Sequence, residues 1–186
     1  MITLVEDLAM DEPIKCLVWD LDNTIWTGTL LEKDSCRLQP EVESILQELD
    51  ERGILLSVAS ANDADLVVPF LNKKGIYHYF LHPQINWLNK VKNIQVITKK
   101  LNLALNSVGF IDDEPYELEQ VRQLLPEVRT YQAKDYRDLV KRPEFSPQFV
   151  TQESKQRRKM YIQEGLKAQV QKRSQKSHDR LSVIEV

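Results

Sequence analysis

Short apolar runs separated by longer amphipathic stretches limit what this 186-residue chain can fold into. The runs are Cys16-Leu17-Val18-Trp19, Gly53-Ile54-Leu55-Leu56-Ser57-Val58-Ala59, a short one around 77–81, Ser107-Val108-Gly109-Phe110-Ile111 and another at 128–131. Between them lie helical patterns. Pro40 opens the first, which runs to about residue 52 with Val42, Ile45, Leu46 and Leu49 on one face; others follow near 63–74, 90–102 and 115–125. This alternation predicts an α/β fold of Rossmann type, a parallel sheet flanked by helices on both faces. With 42% hydrophobic residues, the chain can bury one sizeable core and needs no second domain. We expect a core over 1–148 and a C-terminal helix and tail over 149–186, with no internal repeat.

Ligands bind beyond the carboxyl ends of strands in open α/β sheets, and several of these runs end in polar residues. Asp20 and Asp22 follow the first run, and a strand's alternation turns both the same way. Two like charges ~4 Å apart repel by ~4 kcal/mol at an effective dielectric of ~20, so they call for a cation or a shared proton. The alternative is a strand running into an Asp-Asn turn. Ser60 and Asn62 end the second run, Lys90 opens a helix with Lys92 nearby, and Asp112-Asp113 ends the run before Glu114-Pro115. A surface lysine is the alternative for Lys90. Asp113 is equally read as the cap of the helix that Pro115 begins.

In this order, the four motifs resemble the haloacid dehalogenase (HAD) superfamily over residues 14–131. The resemblance implies Asp20 as the nucleophile that becomes an aspartyl phosphate, and Asp22 as general acid and base. It implies Thr24 as the residue that orients Asp22, with a turn cap as the alternative, and Ser60 and Lys90 as holders of the phosphoryl oxygens. Mg2+ would be held by Asp20, the Asp22 main-chain carbonyl, Asp112 and Asp113. An oxygen-only set suits magnesium, whereas no His/Cys cluster argues for zinc or copper, and His78, His82 and His178 share no metal spacing.

The gaps between motifs hold no large cap domain beyond a 25–39 loop. Closing over a small metabolite usually takes a lid, so an uncovered site favours a substrate presented on a protein. The stretch from Lys15 to Trp26 is similar to the subfamily IIIC, FkbH-like branch. So are Asn86-Trp87, Asn93-Ile94, Asp112 to Pro115 with Glu119-Gln120-Val121-Arg122, and the tail residues Phe149, Thr151, Glu153, Arg157-Arg158 and Met160-Tyr161. That branch implies removal of phosphate from a phosphorylated three-carbon substrate and delivery of the glyceryl unit to an acyl carrier protein in polyketide-type biosynthesis. Trp26, Gly28 and Asn62 are expected to contact the substrate. Two departures bear on the acyl step: Ala59 and Ala61 stand where glyceryl-transferring members carry a cysteine and a lysine. Neither remaining cysteine is an obvious substitute: Cys16 lies in a buried strand four residues before Asp20, while Cys36, in a loop, stays open as an acceptor. The alternatives are a capless phosphatase of phosphoproteins or small phosphomonoesters, and a non-catalytic carrier-binding module.

A net charge of −3 gives no pull toward nucleic acid or membrane. Residues 151–180 carry nine Lys/Arg against three Asp/Glu, so a basic tail helix is expected, either to steer an acidic carrier or as a solvated face. Residues 1–13 lack a basic leader and no apolar stretch reaches membrane-spanning length. Two cysteines are too few for a disulfide framework, so a cytoplasmic location is expected.

Overall fold

The structure is a computed structural model that describes residues 12–30, 36–146 and 151–167. Its strands are β1 (Cys16–Trp19), β2 (Trp26–Thr27), β3 (Arg37–Leu38), β4 (Leu55–Ser60), β5 (Gln84–Ile85), β6 (Val108–Asp112) and β7 (Arg129–Gln132). Its helices are α1 (Val42–Glu51), α2 (Ala64–Lys73), α3 (Lys90–Leu101), α4 (Pro115–Leu124) and α5 (Gln152–Lys155), with a further helical stretch over 157–167. Five strands form the main sheet in the order β5-β4-β1-β6-β7, every pairing parallel.

Each residue of β1 is buried, as a strand covered on both faces requires. Leu17 and Trp19 point into one core cluster with Leu46 and Leu49 of α1 and Val67 and Leu71 of α2. Cys16 and Val18 point into the other with Ile94 and Ile97 of α3 and Leu118 and Val121 of α4. The expected helices on both faces are therefore present. Gly109 in β6 is needed by the packing. A Cβ there would come within 2.9 Å of the Tyr131 ring and 3.0 Å of a Leu17 methyl.

This topology places the site. The chain runs outward from β1 through β4 to β5, then returns to β6 on the other side of β1, so the switch point lies between β1 and β6. Trp19 is in register with Val58 and Ile111, which brings the carboxyl ends of β1, β4 and β6 to one edge.

Two local expectations are corrected. The run at 77–81 forms a 3-10 turn over Tyr77–Tyr79 rather than a strand. Its amides close locally on Ile76 and Tyr77, leaving only a bridge from Phe80 to Leu56 before the two-residue β5. The stretch 25–39 is not wholly loop: β2 and β3 pair antiparallel, Trp26 opposite Leu38.

The described part of the tail is tied to the end of the sheet opposite the carboxyl edge. Arg157 donates to the Gly53 carbonyl (2.7 Å), just before β4 begins. Arg158 makes two bonds to Asp50 (2.7 and 2.9 Å) and one to the His78 carbonyl (2.9 Å), and the Tyr161 hydroxyl donates to Leu101 at the end of α3 (3.0 Å). Among the described residues, no helix is long and apolar enough to cross a membrane.

Candidate active site

Asp20 leaves β1 at its carboxyl end, where its N–H donates to the Ile111 carbonyl (2.9 Å) and fixes the strand end against β6. Asp112 ends β6 itself. From the other side of the crevice comes Lys90, the first residue of α3, whose start is capped by Asn89 accepting the Lys92 N–H (2.9 Å). The Lys90 Nζ donates to Asp20 Oδ1 (2.5 Å) and to Asp112 Oδ2 (2.6 Å), and lies 5.6 Å from the centre of the Phe110 ring. All three side chains are nearly inaccessible, at 6%, 8% and 1% exposure for Lys90, Asp20 and Asp112. Lys92 is exposed, so the lysine of the crevice is Lys90.

The electrostatics follow from this arrangement. Burial pushes the Asp20 carboxyl up from 3.8 to about 7; Lys90 pulls it down and Asp112 pushes it up again. For Lys90, burial works against the charge, but the two carboxylates outweigh it and hold the ammonium above its usual range. Burial is therefore the chief reason that Asp20 is raised even in contact with Lys90, and the neighbouring Asp112 charge adds to it.

Asp113 is more exposed than the other two acids, and one ligand atom from each of Asp20, Asp112 and Asp113 lies within 4.8 Å of the others. Burial and then the charge of Asp112 raise the Asp113 carboxyl, opposed in part by a hydrogen bond from Asn23. Asp112 also accepts the Glu114 N–H through its other oxygen (2.9 Å), just before α4 begins at Pro115.

The remaining residues divide into two groups. The expectation that Thr24 orients Asp22 is corrected: its hydroxyl faces Asp20 Oδ2 (3.4 Å), while its N–H closes the turn on the Leu21 carbonyl. Asp22 instead receives Trp26 Nε1 (2.7 Å) and the Leu30 N–H (3.3 Å) on Oδ1, and Asn62 Nδ2 (2.9 Å) on Oδ2. Trp26 is fully buried and Asn62 nearly so, and the polar groups expected to contact the substrate are committed to Asp22. Gly28, at φ 77, gives its N–H to the Asn23 side chain and so closes the loop after β1. Ser60 is buried at the end of β4, and its carbonyl accepts the Asn86 N–H (3.1 Å).

Three neighbours escaped the sequence reading. Asn23 accepts the Gly28 N–H and helps to lower the Asp113 carboxyl, and its φ of 53 is a conformation that Asn tolerates better than most residues. Phe110, two residues before Asp112, shares its face of the strand and lies under Lys90. Glu117, one turn into α4, feels both Lys90 and Asp112 and is raised chiefly by burial. Around the mouth, Trp87 (73% exposed), Leu88 (54%) and Tyr116 (65%) stand in the open, at the starts of α3 and α4.

Residues 24–124 match the family model of haloacid dehalogenase-like hydrolases, and the chain belongs to that family. No curated protein matches the chain in sequence. Among solved structures, it is similar to the N-terminal part of protein BF1531 from Bacteroides fragilis, which contains a phosphatase domain complexed with Mg. The two are 29% identical with a TM-score of 0.61, over 67% of this chain and 38% of that one. This chain thus spans well under half of that structure. A HAD-family enzyme from Bacteroides thetaiotaomicron (12% identity, TM-score 0.52, 65% of this chain and 94% of that one) shares the fold. So does a HAD-superfamily hydrolase from Ehrlichia chaffeensis (11%, 0.51, 65% and 87%).

Proposed function

We propose that this haloacid dehalogenase-like hydrolase is a magnesium-dependent phosphatase working through an aspartyl phosphate on Asp20. The observation that carries the reading is the convergence of Asp20, Lys90 and Asp112 from β1, α3 and β6 in one buried crevice. Asp20 attacks phosphorus while the bond to the leaving oxygen breaks, and Asp22 gives that oxygen its proton. Asp22 then takes a proton from the water that attacks the phosphorus, which frees phosphate and restores Asp20. Ser60 and Lys90 hold the phosphoryl oxygens. Asp20, Asp112 and Asp113 cluster their carboxylates and, with the Asp22 main-chain carbonyl, would hold magnesium in an oxygen-only set. When bound, the ion offsets the charge of the phosphoryl oxygens and of the clustered carboxylates. The Bacteroides fragilis relative, complexed with Mg, supports the choice of ion.

The open mouth supports a substrate presented on another molecule. Within the described residues no cap covers the crevice, and Trp87, Leu88 and Tyr116 offer apolar surface beside it. The finer reading is a phosphoglyceryl group dephosphorylated here and passed as glyceryl to an acyl carrier protein. The carrier's own thiolate would attack the carbonyl carbon of the acyl phosphate, forming the thioester as the carbon–oxygen bond to phosphate breaks. Cys16 is no acceptor, since it is fully buried and burial pushes its thiol up to about 12. The test is phosphate release with Mg2+ from p-nitrophenyl phosphate and from 1,3-bisphosphoglycerate, the latter with holo-carrier protein weighed intact. Release that depends on Asp20 supports the phosphatase, and a glyceryl-sized gain on the carrier supports the finer reading. Release without a mass gain would favour a capless phosphatase of phosphoproteins or small phosphomonoesters. Binding of the carrier without any turnover would contradict both.

A further inference from the structure

We infer that Trp26 and Asn62 are positioning residues for Asp22, fixing the orientation in which its carboxyl meets the leaving oxygen. The inference rests on the phosphatase reading and adds which residues set the acid. An ionised carboxylate offers about four lone-pair positions, two on each oxygen. Oδ1 takes two donors, the Trp26 indole N–H (2.7 Å) and the Leu30 N–H (3.3 Å), and is saturated. Oδ2 takes one, from Asn62 Nδ2 (2.9 Å), so the open position of the carboxyl is on that oxygen.

Neither support has an alternative orientation. An indole nitrogen only donates. Asn62 Oδ1 accepts the Asp63 N–H (3.1 Å), which obliges its NH2 to face Asp22. Each is also held from behind. Trp26 is fully buried, sits in β2 opposite Leu38, and meets Phe70 of α2 edge-on at 5.2 Å. Asn62 follows β4 and adjoins Asp63, which caps α2 by accepting the Asp65 N–H (2.9 Å). Asp22 is thus clamped between the hairpin and the β4–α2 turn, forty residues away in the chain.

The test is kcat/KM with Mg2+ for aryl phosphates running from p-nitrophenyl, which leaves unaided, to unsubstituted phenyl, which needs a proton. General acid catalysis contributes roughly a hundredfold to ten-thousandfold, so loss of its alignment shows mainly on the poor leaving group. We expect Trp26→Phe and Asn62→Ala to lower the phenyl ester about tenfold or more and p-nitrophenyl phosphate by less than about threefold, in the direction of Asp22→Asn. An equal loss across the series, or none, overturns the inference. Because Trp26→Phe disturbs a buried site, Asn62→Ala must show the same steepening. A readout free of turnover is the 15N–1H signal of the Trp26 indole, assigned by its loss in Trp26→Phe. It should shift in Asp22→Asn and in Asn62→Ala, and a signal indifferent to Asp22→Asn contradicts the contact. If Asp20→Asn hydrolyses these esters as the wild type does, the phosphatase reading fails instead, whatever the indole signal shows.

Discussion

Between Asp20 and Asp112, the ammonium of Lys90 compensates charge that the buried crevice would otherwise leave exposed to itself. Removing one partner of a buried ion pair typically destabilises by ~3–5 kcal/mol because the remaining charge is uncompensated. Lys90→Met should therefore lower the Tm of the metal-free protein markedly, and added Mg2+ should recover part of the loss; an unchanged Tm would argue against a compensating role. The raised Asp20 carboxyl has a pH consequence. Its folded value of about 7 exceeds the unfolded 3.8, so between these pH values the folded state holds a proton that the unfolded chain has released. The stability of the metal-free protein then falls as pH rises through that window. Magnesium needs the ionised carboxylate, so its affinity should rise up to tenfold per pH unit below about 7 and level off above. Calorimetric titration between pH 5 and 8 checks this, and a flat affinity across that range would contradict it. At this scale, the sequence was legible where a residue ends a strand or starts a helix: Asp20, Ser60, Lys90 and Asp112 fall there. It was not legible for Thr24, Trp26 and Asn62, because the turn after β1 decides that Thr24 faces Asp20 and Trp26 faces Asp22, while Asn62 reaches Asp22 from forty residues away in the chain.

Elements set what these residues can reach. Gly109 lets the Tyr131 ring and Leu17 close over β6, whose last residue is Asp112. Gly109→Val should destabilise by ~1–3 kcal/mol through overpacking, read as a lower unfolding midpoint in urea. The tail behaves differently. Arg158 binds Asp50 with both at 16% side-chain exposure, and it also reaches the His78 carbonyl. Arg158→Ala should cost about 2 kcal/mol, since bonds to charged groups each contribute ~1.5–3 kcal/mol before discount for partial exposure. Its kcat/KM for p-nitrophenyl phosphate should stay within about twofold, because these contacts lie at the other end of the sheet from the crevice. A large loss of turnover with unchanged stability would contradict that placement. Strand and helix periods made α1 to α4 and the inner strands readable, because each buries a face of fixed spacing. The stretch 77–81 misled because alternating aromatics serve a 3-10 turn packed on the core as well as a strand.

For the whole molecule, the switch point between β1 and β6 brings four separate chain segments to one edge, beside the exposed Trp87, Leu88 and Tyr116. Its basic tail was readable as helical but not in its location, since charge alone does not say which end of a sheet a helix covers. The described tail residues anchor opposite the mouth, so steering of a partner by residues 151–167 would have to act from a distance. On the proposed reading, recognition at close range would fall instead to the exposed Trp87, Leu88 and Tyr116. The central claim, a phosphoryl group passing through Asp20, has a direct test. The protein would be quenched during turnover of p-nitrophenyl phosphate with Mg2+, reduced with borohydride, and digested for mass spectrometry. An aspartyl phosphate is reduced to homoserine, so the account predicts that product at position 20 and its absence in Asp20→Asn, which should also lose turnover. Continued turnover with Asp20 unmodified, or undiminished turnover in Asp20→Asn, would contradict it.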